Sequence, residues 1–163
     1  MLKKLYDVDW SDLGHAYGAA TDVPDLIKAV AYGSKSEADK AWYELYGNIW
    51  HQGTIYSATS HAVPFLLELA ADLERTDTEV VLQYLQDLAE GTSFLDVHRE
   101  GHTLFGKKLT DEQLSQMSQE LMWVKETREA VRLGLPIFKE LIDHPDPKVR
   151  EEAARLVESL GNG

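Results

Sequence analysis

Apolar residues recur along this chain at intervals of three and four, the spacing of one buried helix face. Asp22, followed by Pro24, predicts the start of a first helix, and Gly33 predicts its end. Thr110 and Gln113 form a capping-box pattern ahead of a long helix that we expect to end near Gly134. No stretch alternates apolar and polar residues as a strand would, so the pattern predicts an all-α fold without a sheet.

Further helix starts follow from the same signals. We expect a second helix to open at residues 36–39, a third near Thr59 and a fourth at the capping-box pattern of Thr76 and Glu79. The segment LPIFKELIDHPDPKVREEAARLVESLG predicts two short helices on either side of its HPDP turn. Residues 91–109 are the longest stretch without a clear helix, and their apolar residues indicate a packed loop.

Three segments repeat one pattern, an apolar residue and a proline ahead of an amphipathic helix. These segments are VPDLIKAV, VPFLLELA and LPIFKELI, with their prolines at 24, 64 and 136. A lone helix pair cannot bury its apolar face, so the pairs must stack on one another. The pattern therefore predicts a single domain over residues 1–163, a short right-handed α-solenoid of antiparallel helix pairs. Residues 91–133 match no repeat.

The final segment resembles the HEAT-repeat family in its apolar helix, its Asp-Pro turn and its Val-Arg run followed by paired alanines. The stretches HAYGAATDVP, ELYGNIWHQGTIY and AVPFLLELA resemble a group of small bacterial HEAT-like proteins. Some proteins of that type resemble immunity proteins encoded beside secreted toxins. The resemblance implies a HEAT-like solenoid that binds another protein, and it brings no catalytic residue with it.

Charge favours a basic partner. The chain has 28 acidic and 16 basic residues and a net charge of -12, which repels nucleic-acid phosphates and attracts a basic protein surface. The basic pairs Lys3-Lys4 and Lys107-Lys108 are too few for a nucleic-acid groove. Between Glu68 and Glu100, nine acids stand against two arginines. This segment is either a solvated helix face or the place where a basic partner docks.

Residues 44–65, ELYGNIWHQGTIYSATSHAVPF, combine aromatics, histidines and glycines in one short span. One interpretation is a structural joint, in which Gly47 admits a close backbone and Gly53 caps a helix. The other is a recognition patch, because aromatic side chains dominate interface hot spots. The candidate partner-binding residues are Tyr46, Trp50, His51, Gln52, Tyr56, His61, Glu68, Asp72 and Glu79.

Catalysis is the weaker alternative. A small metal-dependent enzyme would need His51, His61 and His15 to converge. His98 and His102 have helical metal-pair spacing, but the glutamate between them is not where a zincin carries it. The sequence has no phosphate loop or nucleophile elbow, so it predicts a protein without catalysis or cofactor.

Location follows from what the sequence lacks. It has no cysteine, no signal-peptide pattern and no apolar run of roughly 18 to 20 residues, so we expect a cytoplasmic protein without membrane contact. The function predicted from charge and resemblance is that of an acidic immunity-type protein. Such a protein neutralises a basic toxin by covering its active site.

Overall fold

Helices account for most of the chain. The computed structural model describes residues 1–161, and eight α-helices lie in that range. They are Val23–Tyr32 (α1), Lys35–Ile49 (α2), Ser57–Ala70 (α3), Thr78–Glu90 (α4), Phe94–His98 (α5), Asp111–Arg132 (α6), Leu135–Leu141 (α7) and Pro147–Gly161 (α8). Two 3₁₀ turns, Leu5–Asp7 and Trp10–Asp12, precede them. The fold is mainly helical, and none of these helices is long and apolar enough to cross a membrane.

Three small antiparallel sheets correct the prediction of a chain without strands. Their strands are Gly14–His15 (β1) with Gly18–Ala19 (β2), Trp50–His51 (β3) with Thr54–Ile55 (β4), and Arg99–Glu100 (β5), Thr103–Leu104 (β6) and Lys107–Lys108 (β7). Each strand has two residues, too few for an alternating pattern to be visible in the sequence.

Turn residues specify two of the hairpins. Gln52 and Gly53 have φ values of 52° and 87°, and Phe105 and Gly106 have 48° and 76°. Two successive left-handed residues form the type I′ turn, whose twist matches that of paired strands. The helix cap predicted at Gly53 is therefore wrong. α2 already ends at Ile49, and Gly53 lies in the turn between β3 and β4.

Local capping signals place several helix ends correctly. α1 runs from the residue after Asp22 to the residue before Gly33, as predicted. Thr110 and Gln113 form the predicted reciprocal hydrogen bonds, at 3.0 and 3.2 Å. The second helix starts earlier than predicted, because the capping box uses Ser34, whose N–H donates to the Glu37 carboxylate at 2.8 Å.

α3 departs most from the repeat pattern. Pro64 does not precede the helix but lies inside it, since α3 begins at Ser57. The early start is stabilised by Thr59, whose Oγ1 accepts from the Tyr56 N–H at 3.0 Å and donates to the Ile49 carbonyl at 2.7 Å. These hydrogen bonds attach the start of α3 to the end of α2.

The helices pack in consecutive pairs: α1 with α2, α3 with α4, and α7 with α8. α4 also packs against α8, and α3 against α6. The core between them is formed by fully buried side chains, among them Ile27, Leu45, Leu66, Tyr84, Phe138 and Leu156. The helix layer containing α2, α4 and α8 positions the site described below.

The segment predicted as a packed loop contains α5 and the sheet β5–β7. Leu95 is buried as a packed segment requires, whereas Phe94 and Phe105 are exposed, so the packing involves only part of the segment's apolar residues. Glu120 of α6, 5 % exposed, holds the segment in place. Its carboxylate accepts from the Ser93 hydroxyl at 2.7 Å and from the Leu95 N–H at 2.9 Å.

Candidate functional site

One groove crosses α2, α4 and α8. It consists of a cavity of about 650 Å³ between α2 and α4 and a second of about 690 Å³ between α4 and α8. Gln83 and Asp87 line both cavities, so the two adjoin along α4. We call the first cavity the aromatic end of the groove and the second its acidic end.

Closely packed rings form the floor of the aromatic end. Tyr84 is 2 % exposed, and its hydroxyl donates to the Leu45 carbonyl at 2.9 Å. The ring centroids of Trp42 and Tyr46 lie 5.6 and 4.6 Å from that of Tyr84. Tyr43, 83 % exposed, stands at the rim. The rings are fixed by packing, so a ligand would meet a preformed apolar wall.

A tyrosine orients the carboxylate shared by the two cavities. The Tyr46 hydroxyl donates to Oδ2 of Asp87 at 2.5 Å. Burial raises the pKa of Tyr46, and the hydrogen bond to Asp87 and the negative charge of that carboxylate raise it further. Tyr46 therefore stays protonated and remains a donor. The indole N–H of Trp50 donates to the Asp87 backbone carbonyl at 3.0 Å, which ties the end of α2 to α4.

Gly47 borders the aromatic end on α2. A Cβ built at this position would meet no atom within 4 Å. The predicted close approach of another backbone is therefore wrong. The missing side chain instead widens the cavity, at a cost in helix propensity of about 1 kcal/mol relative to alanine.

Carboxylates dominate the charge of the groove. Its lining includes five of them, on Glu44, Asp87, Glu90, Glu152 and Glu158, and one guanidinium, on Arg155. Arg155 is paired with Glu151 at 2.6 Å and with Glu152 at 3.2 Å. The lining thus keeps a net negative charge, and its potential attracts cations.

The predicted aromatic candidates lie in different places. Tyr46 and His51 line the groove. Trp50 packs against Tyr46, with ring centroids 4.8 Å apart and ring planes tilted by 58°, but does not line the groove itself. Gln52 is exposed in the β3–β4 turn. Tyr56 lines a separate cavity beside Glu120, of about 450 Å³.

The predicted acidic candidates lie outside the groove lining. Glu68 accepts from the Leu2 N–H at 2.5 Å and so holds the first residues of the chain against α3. Asp72 accepts from the Glu74 N–H just after α3. Glu79 pairs with Lys148 at 3.4 Å, which joins α4 to α8. These three carboxylates make contacts within the fold.

Sequence reasoning missed most of the groove. Gln83, Asp87 and Glu90 follow one another at intervals of four and three, a helix-face signal that was available. Glu152 and Glu158 come from α8, far along the chain, and no local pattern could bring them to α4. Tyr43 on α2 and Tyr84 on α4 both line the aromatic end, and no local pattern could show that these two helices lie side by side.

The histidines do not converge. His15 uses both ring nitrogens: Nε2 lies 2.9 Å from Asp22, and Nδ1 accepts from the Tyr17 N–H at 3.0 Å. Nδ1 of His51 lies 3.2 Å from the Tyr17 hydroxyl, whereas His61 bonds the Ser57 carbonyl within α3. Throughout residues 1–161, no three His, Asp or Glu side chains are grouped to hold a metal ion.

Comparisons with known proteins assign no family. No family model, no curated protein and no solved structure matches this chain. The resemblance of its final segment to HEAT repeats stays a prediction, and the case for function depends on the geometry of the groove.

Proposed function

We propose that this protein is a non-catalytic, HEAT-like helical-repeat module that binds a basic segment of another protein in the groove across α2, α4 and α8. The observation that carries the proposal is the adjacency of the two cavities, which together place aromatic rings beside five carboxylates and one paired guanidinium. Aromatic rings supply contact area at low entropic cost, and the carboxylates supply attraction and orientation.

The arrangement of the helices supports the solenoid part of the proposal. α1 and α2, α3 and α4, and α7 and α8 are consecutive packed pairs. The second helix of each pair contributes to the groove. Stacked pairs that present one extended binding surface are the defining property of helical-repeat proteins. In this proposal α5, β5–β7 and α6 are an insertion between the second and third pairs.

The most specific form of the proposal is an immunity-type protein, bacterial by its resemblance. Its net charge of -12 suits a basic toxin such as a nuclease, whose active site must itself attract phosphates. Covering that active site would block the toxin without any chemistry on the part of this chain. Opposite charges on the two proteins would make their association fast and sensitive to salt.

A charge-reversal pair tests the role of the groove. Glu44→Lys with Glu90→Lys reverses two exposed groove carboxylates. Glu126→Lys with Glu129→Lys makes the same charge change on exposed positions of α6. Each immobilised variant and the original chain are exposed to lysate of the source organism, and captured proteins are identified by mass spectrometry. We expect a basic protein that the original chain and the α6 variant capture and the groove variant does not.

The captured protein is then purified and its association rate measured by stopped flow. Reversal of the groove charges should slow association about tenfold or more at low salt, and added salt should slow the original chain similarly. Co-expression should relieve any growth arrest that the captured protein causes. Equal capture by the groove and α6 variants, or an association rate indifferent to salt, would refute the proposal.

A further inference from the structure

The aromatic end of the groove is large enough to hold a whole side chain. Its cavity of about 650 Å³ is walled by the rings of Trp42, Tyr46 and Tyr84, and Gly47 leaves it open on the α2 side. Trp42 is fixed by its own indole N–H, which donates to Asp77 at 3.2 Å. The walls are thus positioned before any ligand arrives.

Among residues 1–161, Asp87 has no cationic partner. Oδ2 accepts the Tyr46 hydroxyl, and no donor within residues 1–161 is hydrogen-bonded to Oδ1. None of the salt bridges among these residues includes Asp87. Glu44, on the same cavity, pairs with Lys40 at 3.7 Å, a long and exposed ion pair. The half-buried Asp87 carboxylate, which lies beside aromatic rings, can therefore accept a positively charged group from another molecule.

The chemistry favours a guanidinium. Aromatic faces attract cations through their quadrupole, and the planar, weakly hydrated guanidinium stacks on rings better than an ammonium ion does. Its five donors form a fork that can reach a carboxylate and neighbouring amide oxygens together. Asp87, Gln83 and Asn48 present such acceptors around the cavity.

We propose that the aromatic end of the groove binds one arginine side chain of the partner, stacked on the aromatic wall with its guanidinium hydrogen-bonded to Asp87. This inference rests on the proposed function and identifies the group that anchors the basic segment. The acidic end then contributes attraction over the rest of the segment without selecting a particular side chain.

Short capped peptides that differ at one central residue test the inference directly. The four probes carry arginine, lysine, citrulline or norleucine in an otherwise neutral sequence. Citrulline keeps the shape of arginine but has no charge, and norleucine keeps only the apolar stem. Each peptide is titrated into the ¹⁵N-labelled full chain, and binding is followed through the Trp42 indole N–H and the Gly47 and Gln83 amides. We expect arginine to bind about tenfold or more tightly than citrulline.

Three variants of the chain supply the controls. Gly47→Phe fills the cavity where no atom opposes a side chain, so it should abolish the shifts while the protein stays folded. Gly47→Ala adds one methyl group and should leave binding within about twofold of the original chain. Asp87→Asn keeps an acceptor for Tyr46 but removes the charge, and it should reduce the preference for arginine over citrulline.

The outcomes separate this inference from the proposed function. Equal binding of citrulline or norleucine would overturn it in favour of an apolar pocket, and tighter binding of lysine would overturn the guanidinium assignment. Absence of shifts with every peptide would also overturn it, even if the groove-dependent capture described above succeeded. Arginine-selective shifts without capture of a basic protein would support an arginine-binding site in the groove but contradict the proposed function.

Discussion

Two glycines show how much a single residue depends on its surroundings. A Cβ at Gly47 would meet open space, whereas a Cβ at Gly91 would lie 2.3 and 2.5 Å from two carbons of Ile55. Ile55 is fully buried and branched at Cβ, so it cannot move aside at low cost. The first glycine shapes the groove, and the second allows α4 to end against the β3–β4 hairpin.

The same substitution at these two positions should have opposite effects. Gly47→Ala should raise the free energy of unfolding by about 1 kcal/mol, because alanine is the better helix former. Gly91→Ala should lower it by about 1 to 3 kcal/mol through overpacking. Urea unfolding followed by circular dichroism measures both changes. A loss of stability at Gly47 would contradict the open geometry that the groove requires.

Tyrosine ionisation should set the alkaline limit of stability. Burial raises the pKa of Tyr46 and of Tyr84 above the usual value of about 10. Their contribution is complete below about pH 10 and is lost as the pH rises towards the folded-state values, because only the unfolded chain then releases these protons. Stability measured from pH 8 to 11 should fall, and Tyr46→Phe should make the fall shallower. Tyr43→Phe, at an exposed ring, is the control.

Prediction from sequence succeeds at this scale where the cause is local. Thr110 caps its helix as predicted, since a cap needs only its own side chain and the next few amides; its Oγ1 accepts from the Gln113 N–H at 3.2 Å. Asp22 directly precedes α1 as predicted, but its carboxylate bonds His15 and Asn48 and makes no cap hydrogen bond. The close backbone approach predicted at Gly47 is wrong because no other part of the chain within residues 1–161 comes near that face of α2. The hydrogen bond of Glu68 to the Leu2 N–H joins remote positions and leaves no signal in the local sequence. Composition around a residue does not reveal which remote surface faces it.

Among the elements, the short hairpins depend on their turns. The β3–β4 hairpin holds His51 at the groove, and its turn has left-handed residues at both central positions. The Gln-Gly and Phe-Gly pairs were visible in the sequence, but strands of two residues give no pattern to confirm them. The prediction of helices alone failed for this reason.

Two substitutions in the β3–β4 turn should therefore act in opposite directions. Gly53→Ala places a Cβ at φ 87° and should cost about 1 to 2 kcal/mol. Gln52→Asn puts the residue that best tolerates φ 52° at the first position and should stabilise the fold slightly. Thermal unfolding should show the alanine variant melting several degrees lower, at about 2 to 4 °C per kcal/mol. An unchanged melting temperature for Gly53→Ala would show that the turn is not formed.

α5 depends on one carboxylate of another helix. Glu120→Ala should leave the Ser93 hydroxyl and the Leu95 N–H without their charged acceptor, costing about 1.5 to 3 kcal/mol. Hydrogen exchange of residues 93–98 should accelerate while that of α1 does not. Glu112→Ala, exposed near the start of the same helix, is the control and should leave exchange in α5 unchanged.

Over the whole molecule, the predicted helix pairs are present but their assembly was only partly foreseeable. Local periodicity predicts the packing of α1 against α2 and of α7 against α8, because helices joined by short connections pack together. The contact of α4 with α8 joins segments separated by α5, the sheet β5–β7 and α6. That contact creates the groove, and its prediction needs tertiary packing that no local pattern encodes.

The net charge should give stability and binding opposite responses to salt. A charge of -12 destabilises the compact state by self-repulsion, and about 0.1 M salt reduces the screening length to about 10 Å. Raising the sodium chloride concentration from low to physiological should increase the free energy of unfolding. The same change should weaken capture of a basic partner. Urea unfolding at each concentration measures the first effect. Stability that falls with salt would indicate that attractive ion pairs dominate instead.

The late position of α8 has a consequence for synthesis of the protein. A chain still on the ribosome that had completed only α1 to α4 would carry every residue that lines the aromatic end but none of the α8 residues that line the acidic end. Translation must release α8 before the acidic end exists, so prematurely terminated copies would keep the aromatic end without the carboxylates of Glu152 and Glu158.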